Sequence, residues 1–433
     1  MSETANAKLH IDSYLWPVLI AILLILQVLF PYRGWLILLL AFGGAWVVSY
    51  LFARSLLREV SIIRETRFGW AKVGDTLEER FKLVNTGWAP ANWVEVIDHS
   101  NIPGSQANIV TGIDSHNSTS WVYQLLCTKR GLYTIGPTSL MTGDLFGIYR
   151  VTIQNKASTV LMVTPPVLPL PAIQVAGGGR AGEGRTAKKA LEQSISVNGV
   201  RDYISGENLH RIHWPTSARR DHLFIKTFDH TPISDWWIVL DLDKNVQCGE
   251  GQNSTEETGV TLAASLADRG LKAGIAVGLI VSSQEAAWHT PETGAAQNIK
   301  LMQSLALVTP GSQPIREVMK YAASSLHHQS SLILITSDIT ASWLEVVLLL
   351  MTREIIPTIL LLNPESFGGK GSANPLSTEL TNLGINCIVI TPDIVNLSAL
   401  GQKQPNIWQW RTLGTGRVIP LHQPGDTKWK VLS

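Results

Sequence analysis

Hydrophobic and polar positions follow three different rhythms along the chain. Tyr14 to Phe30 and Trp35 to Phe52 are uncharged apolar runs of 17 and 18 residues. Each is close to the length of helix that crosses roughly 30 Å of hydrocarbon. Only Pro31-Tyr32-Arg33-Gly34 separates them. Neither run has a polar stripe, which predicts a membrane hairpin within residues 1–55, with spans at about 14–30 and 35–52, rather than two buried core helices.

Residues 56–170 alternate with a period of two. Thr76 to Val84 runs up to the turn signal Asn85-Thr86-Gly87, and Trp93 to Ile97, Thr119 to Tyr123 and Leu132 to Ile135 follow. Short alternating runs punctuated by turns predict an antiparallel β-sandwich of immunoglobulin-like kind. Pro165 to Pro171 holds four prolines and excludes a long helix. The glycine-rich stretch Gly177 to Thr186 then reads as a linker, and residues 171–232 as linker plus a motif-dense segment.

The third rhythm spans 233–433. Trp236–Leu240, Ile275–Val281, Leu332–Ile335, Thr358–Leu362 and Cys387–Ile390 are apolar runs of strand length. Between them Thr255–Ala267, Gln297–Leu307, Ile315–Ala323 and Trp343–Arg353 have helical spacing, and Leu380–Leu383 reads as a helix end. This alternation predicts an α/β domain with a parallel sheet covered on both faces.

Composition sharpens the picture. Of 433 residues 45% are hydrophobic and only 16% charged, against about 25% charged in ordinary soluble domains. The mean hydropathy of +0.13 fits a chain partly in lipid. A net charge of +1 argues against global binding to nucleic acid. Cys127, Cys248 and Cys387 are too few and too scattered for a disulfide framework or a cysteine-rich zinc site, and fit a reducing compartment. Arg54, Arg58, Arg64 and Arg67 follow the second span, whereas the hairpin loop holds only Arg33. The positive-inside rule then places both ends of the hairpin, and the bulk of the chain, on the cytoplasmic side of the inner membrane.

Candidate chemistry is sparse. Gly179-x4-Gly184-Arg185-Thr186 departs from a phosphate-binding loop by carrying arginine in place of lysine, and it follows a proline run rather than a strand. No Gly-x-Ser-x-Gly elbow or His-Glu-x-x-His is present. The densest segment, Val200 to Phe228, interleaves Arg201, Arg211, Arg219 and Arg220 with Tyr203, Trp214 and Phe224. It reads as an interdomain belt, or as a surface for a partner or an anion. His210 and His213 are three apart, a spacing one helix face could present to a metal, but no further ligand completes a set.

The same segment carries a resemblance. Arg201-x-Tyr203-x-x-Gly206-Glu207-x-x-His210-Arg211-Ile212-His213-Trp214-x-x-Ser217-Ala218-Arg219 resembles the signature of the bacterial family known as "domain of unknown function 58". Cys127-x-x-Arg130-Gly131-x-Tyr133-x-x-Gly136-Pro137, followed by Asp144-x-Phe146-Gly147, is a second match. The order of hairpin, β-domain and α/β-domain matches as well. The resemblance implies a von Willebrand factor A-like C-terminal half. It also implies a Mg²⁺ site at the first strand's end, for which Asp241, Asp243, Asn245 and Asp338 stand in the matching positions, with Thr290 or Thr293 as the completing threonine. Asp243 and Asn245 replace two serines there, so a degenerate, metal-free site is the leading expectation and a Mg²⁺ site the other. A working partnership with a MoxR-type AAA+ ATPase is implied too. The expected function is a membrane-anchored cytoplasmic adaptor, not an enzyme. The alternative is a membrane enzyme gripping an anionic envelope precursor through the Arg201–Arg219 segment.

Overall fold

The structure is a computed structural model, and it describes residues 5–66, 69–105, 107–170, 173–176, 197–203, 213–220, 222–228, 235–284, 286–326, 330–393, 409–412, 418–422 and 430–432. The chain divides into two compact units. One holds residues 1–166 together with 404–433, the other residues 167–403. The hairpin is therefore not a domain apart from the β-strands, and the final residues join the first unit instead of the α/β domain.

The first unit begins with strand β1 (Ala5–Ile11), which leads into helices α1 (Leu15–Leu29) and α2 (Arg33–Glu59). Ten strands follow: β2 (Val60–Thr66), β3 (Trp70–Lys72), β4 (Thr76–Asn85), β5 (Ala91–Asp98), β6 (Ile109–Ile113), β7 (Asn117–Leu126), β8 (Gly131–Ile135), β9 (Thr138–Gly143), β10 (Tyr149–Asn155) and β11 (Thr159–Thr164). A five-stranded sheet has the order β1-β10-β9-β5-β6. A second sheet orders the C-terminal strand Lys430–Val431 beside β2, then β4 and β7. Their inner faces share one core, in which Ile62, Phe81 and Leu83 meet Val94, Val96, Leu140 and Val151. The alternation seen in the sequence explains this, because period-two residues line one face of a strand.

One helix, α2, is long and apolar enough to cross a membrane. The other, α1, has 15 residues and rises about 22 Å, short of a full crossing. The last two turns of α2 do not belong to the span: Phe52, Ala53 and Leu56 are buried in the sandwich core. Arg64, counted among the flanking charges of the membrane rule, is buried as well. Its guanidinium pairs with Glu79 at 2.5 Å and Asp98 at 2.6 Å and lies 4.8 Å from the centre of the Phe81 ring. It contributes no free positive charge at the membrane, and Arg67 lies outside the described residues. Arg54 and Arg58 remain exposed. Strands β1 and β2 flank the hairpin in the same unit.

The second unit starts earlier than the linker expected there. Leu168, Leu170 and Ile173 pack into the α/β core. Arg269 donates to the carbonyls of Leu170 and Ile173 at 2.9 and 2.7 Å, so the proline run is a strap on the domain and not a free connection. Gly177 to Thr186 lies outside the described residues. Strands β12 (Val197–Asp202) and β13 (Phe224–Phe228) pair across helix α3 (Trp214–Arg220).

The main sheet then forms from β14 (Trp236–Asp241), α4 (Thr255–Lys272), β15 (Val277–Ser282), β16 (Ala287–Glu292), α5 (Ala295–Leu307), α6 (Ile315–Ala322), β17 (Ser331–Thr336), α7 (Leu344–Met351), β18 (Ile356–Leu362), α8 (Asn374–Asn382) and β19 (Asn386–Ile390). Its order is β16-β15-β14-β17-β18-β19. Five strands are parallel, and β16 returns antiparallel at the edge. Side chains of α4 and α5 cover one face with Val260, Leu266 and Leu301. Those of α6, α7 and α8 cover the other with Met319, Val347 and Leu380. Burial on both faces accounts for the unbroken apolar runs of the central strands.

Candidate functional site

The strand order reverses direction around β14: the chain first builds outward to β15, then returns to β17 on the other side. Open α/β sheets bind their ligands at this kind of switch point, beyond the carboxyl ends of the strands. Asp241 ends β14 beside Ser282 of β15, and Asp338 lies two residues past the end of β17.

The three carboxylates are buried, Asp241 to 2% exposure, Asp243 to 8% and Asp338 to 6%. Thr336 donates its hydroxyl to Asp241 Oδ2 at 2.7 Å, and the Asp243 N–H donates to Oδ1 at 3.0 Å. Asp243 Oδ1 in turn accepts from the backbone and the side-chain amide of Asn245, at 3.0 and 2.8 Å. Asp338 Oδ1 accepts from the Thr340 N–H and hydroxyl at 2.8 and 2.6 Å, and Oδ2 from Ser342 at 2.9 Å. Each carboxylate thus folds the loop that follows its own strand. Side chains tie the loops together: Ser337 donates to the Val246 carbonyl at 2.7 Å, and Gln247 to the Asp241 carbonyl at 3.0 Å. The 309–313 loop adds a third wall. Gly311 accepts from the Lys244 N–H at 2.8 Å and donates to the Leu242 carbonyl at 2.9 Å.

Electrostatically the crest is uncompensated. Among the described residues no Lys, Arg or His pairs with Asp241, Asp243 or Asp338. Burial pushes the Asp241 carboxyl up to about 6, and the charges of Asp338 and Asp243 add to it, against the hydrogen bonds from Thr336 and the Asp243 N–H. Lys244 is exposed and does not fill the site as an internal cation.

These residues do not fit a directly coordinated Mg²⁺. Oxygen donors are the right kind, but among the described residues no three His, Cys, Asp or Glu side chains converge as a metal set. Both oxygens of Asp241 and of Asp338, and Oδ1 of Asp243, already accept from protein donors. Neither expected threonine reaches the crest. Thr290 and Thr293 lie on or just past β16, whose antiparallel register sets Glu292 opposite Val277, the start of β15. That is the other end of the sheet. Thr336, Thr340 and Ser342 take the hydroxyl positions instead. The sequence reading did not single them out; the alternation Thr336-x-Asp338-x-Thr340-x-Ser342 at the end of an apolar strand is the signal that could have found them.

The signature segment is described in part. Arg201 lies on β12, and the Tyr203 N–H donates to the Leu223 carbonyl at 2.8 Å. Gly206, Glu207, His210 and Arg211 lie outside the described residues. His213 starts α3. Its Nδ1 sits 2.7 Å from the Thr216 hydroxyl and its carbonyl accepts from Ser217, so the residue caps the start of the helix. Trp214 is 65% exposed and Arg219 is exposed, while Arg220 stacks on Phe224 at 5.6 Å. His327, His328, Trp408 and Trp429 lie outside the described residues, as does the side chain of Trp410.

Comparison with solved structures gives distant likenesses. The CARDB domain of a Pyrococcus furiosus protein is 12% identical, covering 24% of this chain and 94% of that one, with a TM-score of 0.18. A β-glucosidase from Listeria innocua is 8% identical over 24% of this chain, with a TM-score of 0.17, and this chain spans only 16% of that enzyme. No curated protein matches the chain. Residues 199–366, which hold the signature segment and the whole crest, match the family described as "Protein of unknown function DUF58".

Proposed function

We propose that the chain is a membrane-anchored adaptor, with α2 and its hairpin partner holding it at the bilayer and the crest of its α/β unit docking a protein partner. The observation that carries this reading is the set of three buried, unpaired carboxylates that fold the loops of the crest at a sheet switch point. They shape a fixed surface whose exposed members are Lys244, Asn245, Thr340 and Ser342. A von Willebrand factor A-like ancestry accounts for an aspartate after the first strand and another after a later one. Loss of the serines, with loop donors in place of metal, makes the site a degenerate, metal-independent version. The expected partner is a MoxR-type AAA+ ATPase on the cytoplasmic side, and the family is one to which no enzymatic activity is attached. Exposed Trp214 and Arg219 offer a second contact for the same partner.

A photoreactive residue at Asn245 or at Thr340 should crosslink one and the same ATPase in intact cells. The same residue at Glu292, at the opposite end of the sheet, should not. Equal labelling from all three positions, or none from the crest, would move the weight to the enzyme acting on an anionic envelope precursor.

A further inference from the structure

The turn between β9 and β10 carries Asp144-Leu145-Phe146-Gly147, one of the motifs that the crest leaves unexplained. Leu145 is 55% exposed and Phe146 49%, an apolar pair half open at the surface. Their place is set by the hairpin. Ser49, buried on α2, donates its hydroxyl to Asp144 Oδ2. The Phe146 ring lies 5.8 Å from Trp16 at the start of α1, and Trp16 lies 5.6 Å from Phe42 on α2.

Depth follows from helix rise. Arg33 to Ser49 is about 24 Å along α2, and Arg33 to Phe42 about 14 Å. A hydrocarbon layer of about 30 Å entered from the hairpin's tip extends past Ser49. The turn that holds Phe146 therefore stands at a depth the bilayer itself occupies. We infer that the Leu145–Phe146 turn of the β-unit is inserted in the lipid, as a third membrane element beside the two helices.

The local chemistry suits that solvent. Irregular backbone in lipid is costly unless its polar groups are paired. Here Asp144 accepts from the N–H groups of Phe146 at 3.0 Å and Tyr149 at 2.6 Å, and the Ile148 carbonyl accepts from the Asp12 N–H at 2.8 Å. Asp144 and these backbone groups are paired inside the turn, and two apolar side chains turn outward; the exposed Arg150–Asp12 ion pair stands at its base. Trp88, 56% exposed and edge-on to Phe52 at 5.8 Å, stands about 5 Å below Ser49 along α2, where an indole suits the headgroup region. Exposed Arg54 sits next to it in depth, where it can meet anionic headgroups.

The inference rests on the membrane-anchor reading, and the test separates the two. The full chain is reconstituted in phosphatidylcholine–phosphatidylglycerol vesicles, with Cys248 and Cys387 replaced by alanine. Cys127 stays, since it is buried and its thiol is pushed up to about 11 by burial, hence unreactive. An environment-sensitive fluorophore is placed singly through Leu145→Cys, Phe146→Cys, Ile37→Cys near the hairpin tip, or Lys156→Cys at the far end of β10. The expected result is several-fold stronger quenching by spin-labelled lipid at 145, 146 and 37 than at 156, with iodide quenching only 156. Iodide access at 145 and 146, with 37 shielded, would overturn the insertion and leave the anchor standing. Iodide access at 37 as well would overturn both.

Discussion

Replacing Arg64 by methionine lowers the stability of the β-unit by about 3–5 kcal/mol, the cost expected when one partner of a buried ion pair is removed. Arg64 is 4% exposed and Glu79 and Asp98 are 2% exposed. The guanidinium bridges both carboxylates and reaches Ser100 at 3.1 Å and Thr138 at 3.3 Å. Burial raises the Glu79 carboxyl above its usual range despite Arg64. At Asp98 burial acts the same way, but the hydrogen bonds and charge of Arg64, helped by Ser100, outweigh it and hold the group low. Without the cation, two buried carboxylates face each other. Arg64→Lys should fall between wild type and Arg64→Met, because an ammonium keeps the charge but loses the planar fork and the ring stacking. Thermal unfolding of the detergent-solubilised chain reads the effect. An Arg64→Met transition within a degree of wild type would show that the cluster carries little of the sandwich's stability.

The second large effect is a pH dependence at the crest. Asp241 has a folded value raised to about 6, above its value of about 3.9 in an unfolded chain. A raised carboxyl favours the folded state while it is protonated. That contribution is complete below about pH 3.9, is lost as pH rises to about 6, and is constant above. Two units correspond to about 3 kcal/mol. Asp241→Asn removes the titration, and the amide can donate to Thr336 while its oxygen accepts from Asp243. The stability of the variant relative to wild type should therefore rise by about 3 kcal/mol between pH 4 and pH 6.5 and stay flat to pH 8. On a metal-free crest, EDTA leaves this curve unchanged. A relative stability that does not vary with pH, or that varies only after chelation, would contradict the uncompensated cluster described above.

The sequence shows where burial is total and loses sight of what long-range pairing decides. The central strands β14, β15, β17 and β18 read as unbroken apolar runs because both faces are covered, and their observed bounds differ from the sequence reading by a residue or two. Edge strand β16, with the sequence Ala-Trp-His-Thr-Pro-Glu, has half-exposed alternation and a proline, so it carried no strand signal. Its antiparallel return is what carries Thr290 away from the crest. Strand β1 was equally hidden. It pairs with β10 across some 140 positions of chain, Leu9 opposite Val151, and only Leu9 and Ile11 pack inward. The apolar run at residues 35–52 was legible as a membrane helix, but composition cannot tell that its end at Phe52 turns into protein core. Asp241 and Asp338 were legible as strand-end aspartates; that their oxygens accept from Thr336, Thr340 and Ser342 depends on hydroxyls whose partners only the fold reveals.

The central claim is that the crest of an anchored α/β unit recruits the partner. Affinity capture of the intact detergent-solubilised chain, with bound proteins identified by mass spectrometry, tests it most directly when wild type is compared with Lys244→Glu. Lys244 is exposed and its side chain makes none of the loop hydrogen bonds described above, so the variant keeps the carboxylates that fold the loops and their donors. The account predicts a AAA+ ATPase recovered with wild type and lost with the variant at unchanged melting temperature. Equal recovery by both proteins, or no reproducible partner from folded wild type, would contradict it.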